Sequence, residues 1–314
     1  MDGPAWKRGF LAVDAGQTGV RVRARSTTQG PLEMELAGVR TDIPLAPQLV
    51  AVVDSVFQQT RIRFDTVAVA TTGLTGAEAD ADALLNRVHY LGITRVFLAH
   101  DSVSSFLGAL GDRRGVVIAA GTGSIITAMG RDHVARVDGW GHIMGDAGSG
   151  YWIGREGLRA AMRAHDGRGP ETALLSLVRA SWANVEDAYI ALQSDPEWVR
   201  AVAAFSQDVA ALAREDAEAA RICQEAGEHL AASALAGLAR VHEPSESGGN
   251  TAVALLGNVF RSALIRAQVT QSITGAVPGA VVVKPAGTGL DGVDLFAELP
   301  QTHPLRGLIS DAST

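Results

Sequence analysis

Cysteine is nearly absent from the sequence, with Cys223 the only one among 314 residues. One thiol excludes an intramolecular disulfide, a zinc site built from several cysteines and an all-cysteine iron–sulfur cluster within one chain. It also fits a reducing compartment. Because Cys223 falls inside a helical pattern, we predict that it is a small buried residue.

The sequence also lacks a cationic cluster and a long hydrophobic run. Lys and Arg total 27 against 34 Asp and Glu, for a net charge of −7. This balance disfavours binding to nucleic acid or to an anionic membrane. The uncharged run at residues 115–130 is shorter than the roughly 20 residues of a membrane helix. The apolar N-terminal stretch ends at Asp14, too early for a secretory signal. We therefore expect a soluble cytoplasmic protein.

Glycine is in excess, with 35 residues in the chain, about 11% against about 7% on average. The glycines gather where apolar runs end. A strand, a glycine turn and a second strand occur at residues 10–24 and again at residues 115–129. This repetition predicts two similar α/β halves.

The remaining pattern predicts alternating strands and helices. Further strands are predicted at 66–70, 95–99, 251–256 and 280–283. Helices are predicted at 45–59, 77–91, 102–110, up to about 164, and from a start at 195–197 to 242 with a break near 214–216. Residues 243–250 are the best candidate for a flexible surface loop, and residues 299–314 are weakly patterned.

Two glycine turns could present backbone N–H groups to an anion. They are AGQTG at residues 15–19 and GTGS at residues 121–124. Their glycines permit close approach and positive φ, and Thr18, Thr122 and Ser124 add hydroxyl donors. The alternative is a pair of merely tight hairpin turns. One turn in each half, each with hydroxyls, favours a phosphate clamp.

Three aspartates, Asp14, Asp101 and Asp146, follow strands or lie in glycine loops. Phosphoryl transfer needs carboxylates for Mg²⁺ and a group that deprotonates the acceptor hydroxyl. The alternative for Asp101 is to cap the helix that follows it, and both remain open.

Other catalytic templates fail. The P-loop and nucleophile-elbow motifs are missing, and too few residues follow the GxGxxG at 287–292 for a dinucleotide-binding unit. Trp140 and Trp152 could stack on a sugar or base, although packing in the core is the default. His100 and His142 are expected to be loop or packing residues.

The motifs, taken in order, resemble those of the actin-like sugar kinases. They are LAVDAGQTG, AHDSVSSFLGAL, VVIAAGTGSI, GWGHIMGDAGSGYWIGREGL, ALLGNVFRS and KPAGTGLDG. Within that superfamily the chain is similar to the BadF/BadG/BcrA/BcrD family, which includes N-acetylglucosamine and glucosamine kinases. The resemblance implies two ribonuclease-H-like α/β domains with a nucleotide cleft between them. The first would span residues 1–112 and the second residues 113–298, with residues 299–314 returning to the first.

The resemblance also implies roles for the residues that match the motifs. Asp14 would help to hold Mg²⁺ and the phosphates of ATP, and Asp101 would take the proton from the acceptor hydroxyl. The residues lining the phosphates would be Gly16, Gln17, Thr18, Gly121, Thr122 and Gly123. The residues beside the sugar, with Asp101, would be Thr122, Trp140, Asp146, Ser149 and Gly150. The residues beside the adenosine would be Gly257, Asn258 and Gly287.

The implied activity is ATP-dependent phosphorylation of an amino sugar, N-acetylglucosamine or glucosamine, with a homodimer as a family-level expectation. The sequence departs from the family pattern at several places. Ala15 and Gln17 replace glycines of the first turn, Val20 replaces a hydroxyl residue, Ala147 replaces a glutamate and Asn258 replaces a glycine.

Two other functions remain as alternatives. One is an ATPase of the same family that activates a partner enzyme through an iron–sulfur cluster, but a chain with Cys223 alone cannot supply two ligands per subunit. The other is a non-catalytic protein that senses a sugar or a nucleotide, for which the altered first turn is the argument.

Overall fold

The computed structural model describes residues 9–27, 30–241 and 251–314. The loop expected at residues 243–250 lies outside these ranges. The chain divides into two compact units. The first unit is Met1–Arg113 with Pro285–Thr314, and the second unit is Arg114–Lys284.

Strands and helices alternate along the described residues. The strands are β1 (Gly9–Ala15), β2 (Val20–Ser26), β3 (Leu32–Leu36), β4 (Thr66–Thr71), β5 (Arg95–His100), β6 (Gly115–Ala120), β7 (Ser124–Met129), β8 (Val134–Asp138), β9 (Thr251–Leu256), β10 (Ala280–Val283) and β11 (Ile309–Ser313). The helices are α1 (Leu45–Thr60), α2 (Ala81–Val88), α3 (Asp101–Leu110), α4 (Gly141–Met144), α5 (Gly150–His165), α6 (Leu174–Ser181), α7 (Ala188–Ser194), α8 (Trp198–Ala204), α9 (Ser206–Leu212), α10 (Ala217–Val241), α11 (Ala263–Ala276) and α12 (Gly289–Asp294).

Each unit is built on one mixed sheet, and the two sheets have equivalent orders. The first sheet runs β11-β5-β4-β1-β2-β3 and the second runs β10-β9-β6-β7-β8. In each sheet the first three strands in sequence form an antiparallel meander. A later strand pairs in parallel with the first of these three, and a further strand pairs in parallel with that later strand. The prediction of two similar α/β halves is confirmed.

The cores of the two units follow from this layering. All six residues of β4 are buried, as expected for a parallel strand that is covered on both faces. Helix α1 buries residues at helical spacing against the first sheet: Leu45, Leu49, Val52, Val53 and Val56. In the second unit α10 buries a comparable face, which includes Cys223, so the prediction for that residue is confirmed.

Two helices start later than the sequence predicts, because the side chain of an aspartate that precedes each of them accepts a backbone N–H. Helix α2 begins at Ala81 rather than residue 77, since the Asp80 side chain accepts the N–H of Ala83. Asp195 makes a turn by accepting the N–H of Glu197 at 2.8 Å, and α8 begins only at Trp198. The predicted break near residues 214–216 lies between α9 and α10, and the helical stretch has a further break between α8 and α9.

Residues 285–298, expected in the second domain, lie in the first unit. Helix α12 packs so closely on α3 that a Cβ on Gly292 would lie 1.8 Å from the Ser104 carbonyl oxygen. Arg23 of β2 forms ion pairs with Asp291 and Asp294 of α12. The return to the first unit therefore begins at Pro285, and β11 completes the first sheet beside β5.

Candidate functional site

Asp14 lies near the end of β1, directly before the first glycine turn. It faces Arg21 across the β1–β2 ladder, with Arg21 Nη2 at 3.7 Å from its Oδ2. Its side chain is largely buried, and this burial raises its pKa to about 6. The Arg21 guanidinium opposes the rise, and the negative charge of Asp101 adds to it. The structure therefore brings two predicted site aspartates within electrostatic reach of each other.

Asp101 is the first residue of α3, so it does not cap that helix. The cap is His100, whose Nδ1 lies 3.1 Å from the N–H nitrogen of Ser102 and 2.9 Å from Asp101 Oδ1. An unprotonated Nδ1 accepts from Ser102, whereas a protonated Nδ1 donates to Asp101. The Asp101 side chain is 29% exposed, which leaves its carboxylate accessible to a ligand.

The first glycine turn joins β1 to β2. Gly16 donates its N–H to the Gly19 carbonyl at 3.0 Å, and Val39 donates to the Gly16 carbonyl at 3.0 Å. Exposed Gln17 donates through Nε2 to Thr41 Oγ1 at 3.0 Å. The turn thus rests on the neighbouring backbone, and the Gln17 and Thr18 side chains lie at the surface.

The second glycine turn joins β6 to β7 and is held by the start of α5. Gly121 donates to the Gly123 carbonyl at 2.9 Å. Gly150 donates to the Gly121 carbonyl at 2.8 Å, and Tyr151 donates to the Thr122 carbonyl at 3.0 Å. The first N–H groups of a helix, which otherwise lack partners, here fix the turn.

Ser149 is fully buried, and its Oγ accepts the N–H of Trp152 at 3.2 Å. In this structure Ser149 caps α5, and Gly150 connects α5 to the turn. Both residues support the turn, and their place beside the sugar stays a prediction.

The turn glycines Gly16, Gly19, Gly121 and Gly123 do not use the positive φ that glycine permits. Positive φ occurs instead at other glycines, such as Gly139, Gly141 and Gly148. Close approach is what requires glycine in the second turn, since a Cβ on Gly123 would lie 2.7 Å from Asp146 Oδ2.

Residues 138–149, which we call the glycine-rich loop, are closed by two aspartates. Asp138 and Asp146 both adopt a left-handed backbone with φ of 59°. The Asp138 carboxylate accepts the N–H groups of Asp146 at 2.8 Å and Ala147 at 3.0 Å. Asp138 was not among the residues predicted from the sequence. Its signal is an aspartate directly before glycine, a residue type that tolerates this conformation.

Asp146 is buried and points to the second turn. Burial raises the pKa of its carboxyl. The backbone N–H groups of Ser124 and Gly141 bond to the carboxylate and lower that pKa, as does His142, while Asp138 raises it. The structure therefore brings Asp146 together with Gly123, Ser124, Ser149 and Gly150.

Trp140 lies on the outside of the glycine-rich loop and is 61% exposed. The guanidinium of Arg136 lies 5.4 Å from the centre of its ring. The default of core packing is wrong for Trp140. It holds for Trp152, which packs against the second core. His142 is a packing residue, as expected, in contact with Tyr151 and Trp198.

The three predicted adenosine residues fall in both units. Gly257 has a φ of 99°, and a Cβ there would lie 2.2 Å from the Ala120 carbonyl oxygen, at the end of β6. Asn258 is exposed and begins a short 3-10 helix. Gly287 lies in the first unit beside the Thr288–Asp291 capping box of α12.

Among residues 9–27, 30–241 and 251–314, no group of three or more His, Cys, Asp or Glu side chains is arranged to hold a metal ion. None of the helices in these ranges has the length and apolar character to cross a membrane. Phosphoryl-transfer sites hold Mg²⁺ with one or two carboxylates and substrate phosphates, so a single carboxylate such as that of Asp14 is compatible with this chemistry.

A family model described as the BadF/BadG/BcrA/BcrD ATPase family matches residues 24–297. The chain belongs to this family. Its two mixed sheets have the fold of the actin-like ATPases, which sugar kinases share. The expected fold class is confirmed.

The chain is similar to sugar kinases in sequence and structure. It is 34% identical over 108 residues to an N-acetylmuramic acid/N-acetylglucosamine kinase of Clostridium acetobutylicum, covering 32% of this chain and 35% of that protein. It is 36% identical over 119 residues to an N-acetyl-D-glucosamine kinase of Dictyostelium discoideum, covering 36% and 37%. The matched stretches thus span about a third of these curated relatives.

A crystal structure from Chromobacterium violaceum, named as a candidate N-acetylglucosamine kinase, superposes with a TM-score of 0.65 at 27% identity. That superposition covers 94% of this chain and all of the other.

Proposed function

We propose that the protein is an ATP-dependent kinase that phosphorylates a hydroxyl of N-acetylglucosamine or a closely related amino sugar. The carrying observation is the Asp101 carboxylate, partly exposed at the start of α3 and in electrostatic contact with Asp14. Membership of the family and the names of the relatives support the choice of ATP and of an amino sugar.

Asp101 acts as the general base. Its carboxylate accepts the proton of the acceptor hydroxyl as the oxygen attacks the γ-phosphorus of ATP, and ADP leaves. A carboxylate suits this role because the proton is transferred late, when the attacking oxygen has become acidic.

Asp14 supplies the carboxylate for Mg²⁺. When bound, Mg²⁺ would neutralise charge on the phosphate oxygens. The phosphates are oriented by the first turn, through Gly16, Gln17 and Thr18, and by the second turn, through Gly121, Thr122 and Gly123. The adenosine is flanked by Gly257, Asn258 and Gly287.

Trp140 and Asp146 serve the sugar, with Thr122 and Asp101. Ser149 and Gly150 act through the second turn, in line with their hydrogen bonds. The homodimer and the cytoplasmic location stay predictions.

The test is Asp101→Asn, assayed by ADP release with glucose, glucosamine, N-acetylglucosamine and N-acetylmuramic acid. We expect turnover to fall by about a thousandfold while ATP binding stays within about twofold. Asp82→Asn is the matched control, because Asp82 is an exposed acidic residue in the first turn of α2. Near-normal turnover of the Asp101 variant would remove the assignment of the base.

The same panel separates the alternatives. ATP binding without phosphorylation of any sugar would favour the sensing protein, for which the altered first turn with exposed Gln17 is the observation. The activator class has less support, because Cys223 is buried and burial raises the pKa of its thiol to about 11.

A further inference from the structure

Helix α4, a single turn inside the glycine-rich loop, is arranged with its polar residue inward. His142 points into the protein, whereas Ile143 and Met144 are 84% and 80% exposed. A surface helix normally buries its apolar residues and exposes its polar ones. A local reversal of that rule is expected mainly where a functional constraint opposes packing.

The His142 ring joins α4 to two other helices. Its centroid lies 4.9 Å from the Tyr151 ring of α5 and 5.1 Å from the Trp198 ring of α8. Tyr151 and Trp198 also contact each other, at 5.8 Å and 72° between ring planes. These distances lie in the favourable range for aromatic pairs, so the three rings form one cluster that holds α4.

Packing alone does not explain a histidine at this position. His142 Nε2 is buried and has no hydrogen-bond partner in the described residues. Phenylalanine would fill the same space without leaving a buried polar atom unsatisfied. The polar ring is however close enough to Asp146 to act on its carboxylate, together with the N–H groups of Ser124 and Gly141.

We propose that His142 is a positioning residue that fixes α4, and through Gly141 and Asp146 the sugar side of the site. This inference rests on the proposed function. Gly141 connects the His142 ring to Asp146. It directly precedes His142 in the chain, and its N–H bonds to the Asp146 carboxylate. Trp140, which directly precedes Gly141, lies exposed on the outer side of the same loop.

The test compares His142→Ala and His142→Phe with His229→Ala. His229 is the matched control, because its ring lies 5.0 Å from Trp152, the neighbour of Tyr151 on α5, in the same edge-on contact. For each variant we would measure the KM values for sugar and ATP, sugar binding by calorimetry without ATP, and the thermal midpoint.

We expect His142→Ala to weaken sugar binding by about tenfold and leave the KM for ATP within about twofold. His142→Phe restores the ring packing and should recover part of that loss. His229→Ala should lower the thermal midpoint at most and leave sugar binding unchanged. Equal effects of His142→Ala and His229→Ala on sugar binding would overturn the inference, as would parallel rises in both KM values.

Failure of the proposed function and failure of the role of His142 give different results. If the unmodified protein neither binds nor phosphorylates any sugar of the panel, the proposed function fails. If it does both and His142→Ala behaves as His229→Ala does, only the positioning role fails. His142→Phe keeps the comparison possible if His142→Ala does not fold.

Discussion

The two glycine turns occupy equivalent places in the two sheets but are supported in different ways. Each closes with a glycine N–H donating to a glycine carbonyl, at 3.0 Å in the first and 2.9 Å in the second. The first is supported by the backbone at Val39 and by one exposed side-chain hydrogen bond. The second is supported by two N–H groups of α5 and by the carboxylate of Asp146.

This difference predicts that the second turn is the more rigid of the two and that the first turn is the more important for the chemistry. The second turn is part of a buried network, so a change there should first damage the structure. Burial raises the pKa of a carboxyl beside each turn, Asp14 and Asp146. The first turn differs in carrying exposed side chains, Gln17 and Thr18, and in lying beside the proposed Mg²⁺ ligand. A change there should first alter the chemistry.

The largest expected effect is that of Gly123→Ala in the second turn. The new Cβ would lie 2.7 Å from Asp146 Oδ2, and Asp146 is held by its own backbone bond to Asp138. We expect the free energy of unfolding to fall by about 2–4 kcal/mol, in the range of overpacked or strained buried sites. Urea unfolding measures this change.

Gly121→Ala is the control for that prediction. A Cβ at Gly121 has no neighbour within 4 Å, and Gly121 does not have positive φ. Its free energy of unfolding should change by less than about 1 kcal/mol. Equal losses in the two variants would contradict the view that the Asp146 contact makes the second turn rigid.

The hairpins could be predicted from sequence because their signal is local. Alternating apolar residues and the glycines between them define β1–β2 and β6–β7 without knowledge of the rest of the chain. The Asp101 position, at the end of a strand and the start of a helix, is local in the same sense.

Other features depend on contacts that are distant in sequence. Helix α12 belongs to the first unit because Gly292 fits against Ser104 and because Arg23 pairs with its aspartates. The role of Asp138 depends on the return of the chain at Asp146. Neither partner can be found from hydrophobic periodicity, which reports only on the face that an element buries.

The second prediction concerns charge beside the first turn. Asp14→Asn removes a carboxyl whose pKa is about 6 in the folded chain against 3.8 for the unperturbed group. The folded state therefore binds this proton more tightly than the unfolded state does, and the stability of the unmodified protein falls as pH rises from about 4 to about 6. Above that range the variant should be more stable, by at most about 3 kcal/mol.

Unfolding at pH 3.5 and at pH 7.5 tests this expectation. The two proteins should agree within about 0.5 kcal/mol at the lower pH, where the carboxyl is mostly protonated in both states, and differ more at the higher pH. Turnover should be lost in the same variant, because Asp14 is the proposed Mg²⁺ ligand. A variant that is less stable at pH 7.5 would show that the Asp14 carboxylate stabilises the fold and that the two turns do not differ in this respect.

The smallest expected effect is that of Gln17→Ala on the exposed side of the first turn. The lost bond to Thr41 joins two exposed side chains, so the free energy of unfolding should change by less than about 0.5 kcal/mol. If Gln17 contacts a phosphate, the KM for ATP should still rise by about two- to fivefold. Kinetics at saturating sugar measure that rise. A stability loss as large as that of Gly123→Ala would mean that the first turn is as rigid as the second.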